Sequence, residues 1–461
     1  MSHLTDWKGV VVVALSLAIL ALAACGSSGG AVSGLTKRAF VSDDCDTPGS
    51  CSGSLHIEDA AIDEESGFTI PTGSLPGTMV LSADKTITLV FDAGDGSLVI
   101  VSNHLESVLG RITLPTVPPN IIAGYASLSG DTVGFAAVPN CPQAYCGGYA
   151  NVVEVLDIYT NFDITGTVNV ALDPISMLYV PLNVATTLVK SPTDSKLLIL
   201  GGPADQQDAF TVIDTGLAQT TPATAGTLMY GAAFDKPAFG VFSTDGTKAY
   251  ILNCGPECGG TTASVTMVDL TTTPPTPGTP VPVPAATVGL LSGTTLYVAG
   301  TPPPANQPAS FCNPVIATVC GTLSVLDTTN LANGPTATAP ISDGTHTVMA
   351  LGSNNKLFIG AGPTCTNGCL SIFDTGTSQS GVDGASDNGT GNVTGMAAIS
   401  ERNVMYVIED VAAGSPDCAG QQPCVGKLRI YDTTAPATTP TLTPTQIDVV
   451  GKATDVKYVD Q

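Results

Sequence analysis

One strand pattern recurs along this chain, and a sequence written in repeats has few folds open to it. The pattern is Leu-x-Val-apolar-Asp-Thr with variations, at Leu55 to Asp59, Leu98 to Asn103, Val153 to Asp157, Phe210 to Thr215, Val265 to Asp269, Leu323 to Thr328, Leu370 to Thr375 and Leu428 to Thr433, eight copies in all. Each copy follows an apolar strand such as Arg38-Ala39-Phe40-Val41, Ala249-Tyr250-Ile251-Leu252-Asn253, Leu296-Tyr297-Val298-Ala299 or Met405-Tyr406-Val407-Ile408. A further short strand precedes that one, as in Gly240-Val241-Phe242-Ser243-Thr244-Asp245-Gly246, and Thr/Pro-rich stretches follow the Asp at Thr271 to Pro284 and Thr433 to Pro444. Short strands at regular spacing with turn residues between them predict an all-β chain. A period of roughly 40 to 50 residues, with some longer units, points to a propeller or an array. Four strands per unit, labelled A to D, make the blade of a β-propeller.

Composition agrees. With 12% charged residues, 50 Gly and 34 Pro the chain is no helical protein, and its 43% apolar content is enough to build a core. The aromatic-Val strand, the hairpin and the Val-x-Val-Ile-Asp-Thr strand resemble those of the YVTN-type β-propeller repeat proteins over residues 36–461. Tyr250-Ile251-Leu252-Asn253 is the nearest copy of the naming motif, whereas Leu198-Ile199-Leu200-Gly201 lacks the aromatic residue. The resemblance implies the fold and carries no member's activity with it. The first unit opens at strand B, and the chain ends in a strand-like Ala453 to Val459 with no unit after it. Pairing the two closes a ring that would otherwise leave an unpaired sheet edge. Eight blades are therefore expected, with seven as the alternative if one hairpin is an insertion.

Thirteen cysteines divide into Cys25 alone and six close pairs: Cys45 with Cys51, Cys141 with Cys146, Cys254 with Cys258, Cys312 with Cys320, Cys365 with Cys369 and Cys418 with Cys424. Every pair falls between strands B and C of a unit. Structural zinc needs four ligands and each loop offers two thiols. No Cys-x-x-Cys-His occurs, which removes covalent haem. Six disulfides are the expectation, and they belong to an oxidising, extracytoplasmic compartment. Closing loops this short stabilises by roughly 2 to 2.5 kcal/mol each on the chain-entropy model. The B–C loops share a face with the D–A loops, so that face is where a protein or ligand partner is expected.

Residues 10–24 form an apolar run of signal-peptide length, too short for an ordinary membrane span. The run ends in Leu22-Ala23-Ala24-Cys25-Gly26, which resembles the lipobox of bacterial lipoproteins. That resemblance implies cleavage before Cys25, diacylation of its sulfur and attachment to a membrane through the acyl chains. Three segments follow: a signal peptide over 1–24, a lipidated cysteine with a Gly/Ser-rich tether over 25–35, and a propeller domain over 36–461. Gly26 after the cysteine is not an Asp-type retention signal, so the outer membrane or cell surface is expected in a Gram-negative cell. Gly26-Ser27-Ser28-Gly29-Gly30 matches G-x-S-x-G in form only, because no strand precedes it and no helix follows.

Removing residues 1–24 takes Asp6 and Lys8 away, which leaves 38 acidic and 14 basic residues and a net charge of −24. Such a surface repels phosphates, and nucleic acid is excluded as a partner. The three remaining histidines, His56, His104 and His346, fall in different units. The recurrent Asp59, Asp157, Asp214, Asp269, Asp327, Asp374 and Asp432 end strand C, where an Asp side chain satisfies turn amides. No catalytic set and no metal centre emerges, and no cofactor is expected beyond calcium at the acidic loops Asp43 to Asp46 and Asp92 to Gly96. The sole tryptophan, Trp7, leaves with the signal, so the docking surface of quinone-dependent propellers is missing. The sequence thus reads as a lipid-anchored binding or scaffolding module of the cell envelope rather than an enzyme. The alternative is a metal-dependent hydrolase or lactonase working in the propeller channel.

Overall fold

Unbroken apolar runs such as Leu98-Val99-Ile100-Val101 suit strands covered on both faces, and the computed structural model uses them that way. It describes residues 33–44, 53–114, 125–129, 133–139, 151–162, 168–179, 187–201, 208–304, 312, 320–362, 365, 368–383, 391–410, 425–443, 445–450 and 452–460. The signal segment and Cys25 lie outside those residues, as does Asp46. So do three of the six expected disulfides: Cys45 and Cys51 in the first unit, Cys141 and Cys146 in the third, and Cys418 and Cys424 in the eighth all fall outside the described residues.

The described strands form eight antiparallel sheets. In A-to-D order the second sheet is Pro76–Leu81, Ile87–Asp92, Ser97–Ser102 and Ser107–Thr113. The third is Tyr125–Ser129, Val133–Pro139, Asn151–Phe162 and Val168–Tyr179, and the fourth Thr187–Lys190, Lys196–Leu200, Ala209–Asp214 and Gly226–Tyr230. The fifth is Pro237–Phe242, Lys248–Asn253 and Ser264–Asp269, with an outer edge split into Thr276–Pro277 and Val281–Pro282. Prolines in the Thr271 to Pro284 stretch cannot donate to a ladder, which accounts for the broken edge. The sixth is Val288–Ser292, Thr295–Gly300, Gly321–Asp327 and Pro335–Ile341; the seventh His346–Leu351, Lys356–Ala361, Leu370–Asp374 and Gln379–Val382; the eighth Asn392–Ile399, Val404–Asp410, Val425–Asp432 and Ile447–Val450. Short helical turns were not foreseen; among the described residues the longest is Thr215–Thr220, capped by the Asp214 side chain.

The first sheet differs in origin. Its strands Arg38–Asp44, Gly53–Asp59 and Glu64–Gly73 take their A strand, Lys452–Tyr458, from the far end of the chain. Ala39 pairs with Tyr458, Val41 with Val456 and Asp44 with Lys452. Beyond the pairing, Arg38 donates to Asp460 Oδ1 at 2.5 Å, to Glu106 Oε1 at 3.0 Å and to the Asn103 carbonyl at 2.6 Å. Each A strand also touches the A strand of the sheet before and after it, from the first sheet through the eighth and back to the first.

Cohesion comes from sheet-on-sheet packing. Period-2 alternation sends neighbouring residues of one strand into different interfaces. Tyr406 and Ile408 pack with Val41, Ala39 and Val456 of the first sheet, while Met405 and Val407 pack with Phe358 and Ile372 of the seventh. The alternation explains why strand B is buried at almost every position: it has no solvent face. Aromatic edges add to two of these seams, Phe358 with Tyr431 at 6.1 Å and Tyr297 with Phe373 at 6.2 Å between ring centres.

The seam between the first and eighth sheets also carries charge. Asp63 is held by Arg402 and accepts a hydrogen bond from the Tyr406 hydroxyl at 2.6 Å. Glu58, by contrast, is wholly buried and neither of its carboxyl oxygens has a hydrogen-bond partner. Burial, opposed by His56 and reinforced by Glu65, pushes its carboxyl up to about 8.

Two outcomes are expected. Deleting residues 452–461 uncovers the buried edge that Val456, Tyr458 and Val459 protect, at roughly 1.5 to 3 kcal/mol per large side chain. The truncated protein should melt well below the parent or aggregate, and an unchanged melting temperature would refute the pairing. The second concerns pH. Folded Glu58 keeps its proton to about pH 8, whereas an unfolded carboxyl releases it near the ordinary 4.5. The unfolded chain therefore binds fewer protons in that window, and stability falls as pH rises through it. Glu58→Gln should remove that slope, gaining up to ~1.4 kcal/mol per pH unit over the parent between pH 5 and 8 in denaturant titrations.

Candidate functional site

The A strands are where the repeat stops being apolar. Thr78 in the second sheet, Thr347 in the seventh and Thr394 in the eighth are exposed in strands whose neighbouring positions are mostly covered. With Asn392, Gly395, Asp455 and Lys457 they line a cavity of about 400 Å³. β-Branched threonine suits a strand and still brings a hydroxyl to the surface it faces.

Asp455 organises this wall. Its Oδ2 accepts the Met79 amide of the second sheet at 2.8 Å, and its Oδ1 accepts the Val456 amide at 2.8 Å and Lys457 Nζ at 2.9 Å. Both oxygens are thus spent, and the carboxylate serves to join two sheets and aim the lysine. Lys457 keeps donor capacity beyond that pair, since an ammonium has three N–H groups. Close approach of the eighth sheet depends on Gly395, where a Cβ would lie 2.7 Å from Asp455 Oδ1 and 2.9 Å from Asp455 Cα. The cavity offers hydroxyls, one amide side chain and one half-neutralised cation, a set that binds polar groups. A second cavity of about 480 Å³, between Met267, Gly278 to Pro282 and Leu331 to Gly334, has no ionisable side chain and carries no chemistry.

Three cysteine pairs among the described residues are at disulfide distance: Cys254 with Cys258, Cys312 with Cys320 and Cys365 with Cys369, their Cα atoms 5.6, 5.7 and 5.4 Å apart. All lie between strands B and C, as expected. The pairings of Cys45 with Cys51, Cys141 with Cys146 and Cys418 with Cys424 rest on the sequence alone, because those six residues lie outside the described ones. The B–C and D–A loops meet on one face, where Asp235 Oδ2 accepts the amides of Thr261 at 2.8 Å and Thr262 at 2.7 Å. The short Cys254–Cys258 loop forms a 3-10 turn, Gly255–Cys258, that delivers Glu257 beneath its neighbours. Glu257 Oε2 accepts the Thr301 amide of the sixth sheet at 2.8 Å, and Thr301 Oγ1 donates to the Gly344 carbonyl leading into the seventh at 2.6 Å. Burial pushes the Glu257 carboxyl up to about 7 against the opposing Thr301 hydrogen bond. One stapled loop therefore ties three sheets together.

The histidines do not come together. His56 is buried in strand C of the first sheet, 3.3 Å from Asp43 Oδ2 and 3.5 Å from Glu65 Oε1. Burial lowers its pKa, but its acidic neighbours, Asp43 foremost, outweigh that and raise it. His104 is exposed on a C–D turn of the second sheet. His346 is fully buried at the start of an A strand, where desolvation pushes it down to about 4 and keeps it neutral. Among the described residues no three His, Cys, Asp or Glu side chains are near enough to share a metal ion.

The strand-C aspartates act on their own turns. Asp269, Asp327 and Asp432 each accept the amide two residues on, at 2.9, 2.9 and 2.8 Å, and Asp59 accepts that of Ala61 at 2.9 Å. Asp214 and Asp374 cap their turns likewise and pair with Lys196 at 2.8 Å and Lys356 at 2.6 Å. Asp157 departs from the expectation, because its strand runs on to Phe162 and Asp157 pairs with Asp173 mid-ladder. In the Asp92 to Gly96 loop, Asp92 Oδ1 accepts the Gly94 amide at 2.9 Å and Asp95 pairs with Arg111 at 2.7 Å, while Asp92 Oδ2 is buried without a hydrogen-bond partner. Sequence reasoning missed Asp455, Lys457, Glu58 and Glu257. Only Glu257 had a signal, as an acidic residue enclosed by a cysteine pair.

No protein-family model matches this sequence, and comparison with curated proteins finds no match. Among solved structures the chain is similar to dihydro-heme d1 dehydrogenase NirN in complex with DHE, with a TM-score of 0.57 and 11% identity over 93% of this chain and 79% of that one. It is also similar to apo AztD from Citrobacter koseri, with a TM-score of 0.51 and 12% identity over 91% of this chain and 96% of that one. Both are β-propeller-type proteins, and at these identities the likeness speaks to fold alone. The fold of this chain is all-β and propeller-like.

The cavity wall yields a direct expectation. Gly395→Val should force the eighth sheet away from Asp455, costing about 1 to 3 kcal/mol as an overpacked site. Loss of the Met79 amide's protection from hydrogen exchange would report the broken contact; full protection would refute it.

Proposed function

We propose that this chain is a lipid-anchored, extracytoplasmic propeller of eight blades that binds a small polar ligand through its A-strand cavity. The eight sheets are read as the eight blades, and the pairing of Lys452–Tyr458 with Arg38–Asp44 as the join that completes the ring. The observation that carries the binding reading is the cavity wall of Thr78, Thr347, Thr394 and Lys457, in which the one carboxylate, Asp455, is already committed to two backbone amides and the lysine. Such a wall donates hydrogen bonds without supplying a free base or nucleophile. Stapled B–C loops support the reading, because preformed loops lose less entropy on binding. Disulfides also accord with an extracytoplasmic location.

Cys25 is the proposed anchor, holding the protein to a membrane by its acyl chains. One chain gives marginal attachment at ~0.8 kcal/mol per buried methylene, and two or three make it firm. Cys25→Ser should abolish palmitate labelling and detergent-phase partitioning together, and retention of both would refute lipidation.

Ligand binding is tested by thermal-shift screening of the soluble domain against hydroxylated and carboxylated metabolites, sugars and inorganic phosphate. A hit on the parent that weakens about tenfold or more in Lys457→Gln, at an unchanged basal melting temperature, supports the site. Hits that ignore Lys457→Gln and Thr394→Val alike would refute it.

A further inference from the structure

Ser33, the first described residue, is fixed to one face of the domain. Ser33 donates from its amide to Glu106 Oε2 and from its hydroxyl to Glu106 Oε1, both at 2.5 Å, and Glu106 is fixed in turn by Arg38 at 3.0 Å. Leu35 packs against the Phe40, Leu55 and Ile57 cluster two residues further on. Glu106 sits on the turn between strands C and D of the second sheet. Its face is the one bearing the A–B and C–D turns, opposite the stapled B–C and D–A loops.

On the premise that Cys25 is lipidated, as proposed above, we infer that the A–B/C–D face is turned to the bilayer and the stapled face away from it. The reasoning is geometric. Eight residue steps separate Cys25 from Ser33, a reach of at most about 26 to 29 Å. A seven-residue strand such as Arg38–Asp44 already spans about 23 Å. For the stapled face to meet the membrane, the segment would have to round the rim of the sheet and climb the full strand, which takes up nearly all of its reach before Cys25 arrives at the lipid surface. With the Ser33 face downward the segment is ample.

The test uses the full lipidated protein in phosphatidylcholine/phosphatidylglycerol vesicles carrying an acceptor dye on the headgroup. A donor dye is attached through an azide-bearing amino acid at Ala332, exposed on the C–D connection of the sixth sheet, or at Ala232, exposed on the D–A connection between the fourth and fifth. Several-fold stronger energy transfer from position 332 than from position 232 is expected. The difference should shrink when twenty Gly/Ser residues are inserted after Gly30. Equal or reversed transfer in protein that labels with palmitate overturns the face assignment alone. Absence of palmitate on the parent overturns the lipid anchor and the assignment with it.

Discussion

Everything in this structure depends on one strand pairing, Arg38–Asp44 with Lys452–Tyr458, which brings together residues more than four hundred positions apart. Among the described residues the sheets bury apolar side chains on both faces, so loss of one sheet uncovers its neighbours. The entropy of bringing the chain ends together is met by ladder hydrogen bonds, by Val456 and Tyr458 in the seam, and by Arg38 gripping Asp460. Arg38 serves both termini at once. Its guanidinium also holds Glu106, on which Ser33 is seated.

The same seam shows how a fold this apolar handles the polar groups it must enclose. Asp63 is fully engaged by Arg402 and Tyr406, while Glu58 a few residues earlier has no hydrogen-bond partner and keeps a proton to about pH 8. A buried carboxyl either finds donors or gives up its charge. Both solutions stand side by side here.

Staples and turn aspartates divide the two faces between them. On the A–B/C–D face, strand-C aspartates close the turns of six sheets locally and strand-B lysines pair with two of them. On the opposite face, the described staples hold long B–C loops, and Glu257 reaches from one staple to the next two sheets. The first face is made rigid residue by residue. The second is closed covalently in the fifth, sixth and seventh sheets.

The strand pattern, the turn aspartates, the position of the three described cysteine pairs and the strand-like C-terminus were legible from the chain alone, because each is a local signature: alternation, turn chemistry, thiol spacing, an unpartnered repeat unit. Even there the reading erred at Asp157, where the ladder runs on past a residue that elsewhere ends it. The cavity was not legible. Thr78, Thr347, Thr394, Asp455 and Lys457 come from four sheets, and nothing in the spacing of Thr78 and Lys457 says they line one wall. The environments of Glu58 and Glu257 were equally hidden, since burial and hydrogen-bond partners are properties of the packed chain. Sequence by itself determined the repeating unit and where its turns and staples fall, since those rest on neighbours along the chain. Only the tertiary structure decided which side chains meet at the A strands and which carboxyls lose their charge, because those depend on how the sheets pack around one another.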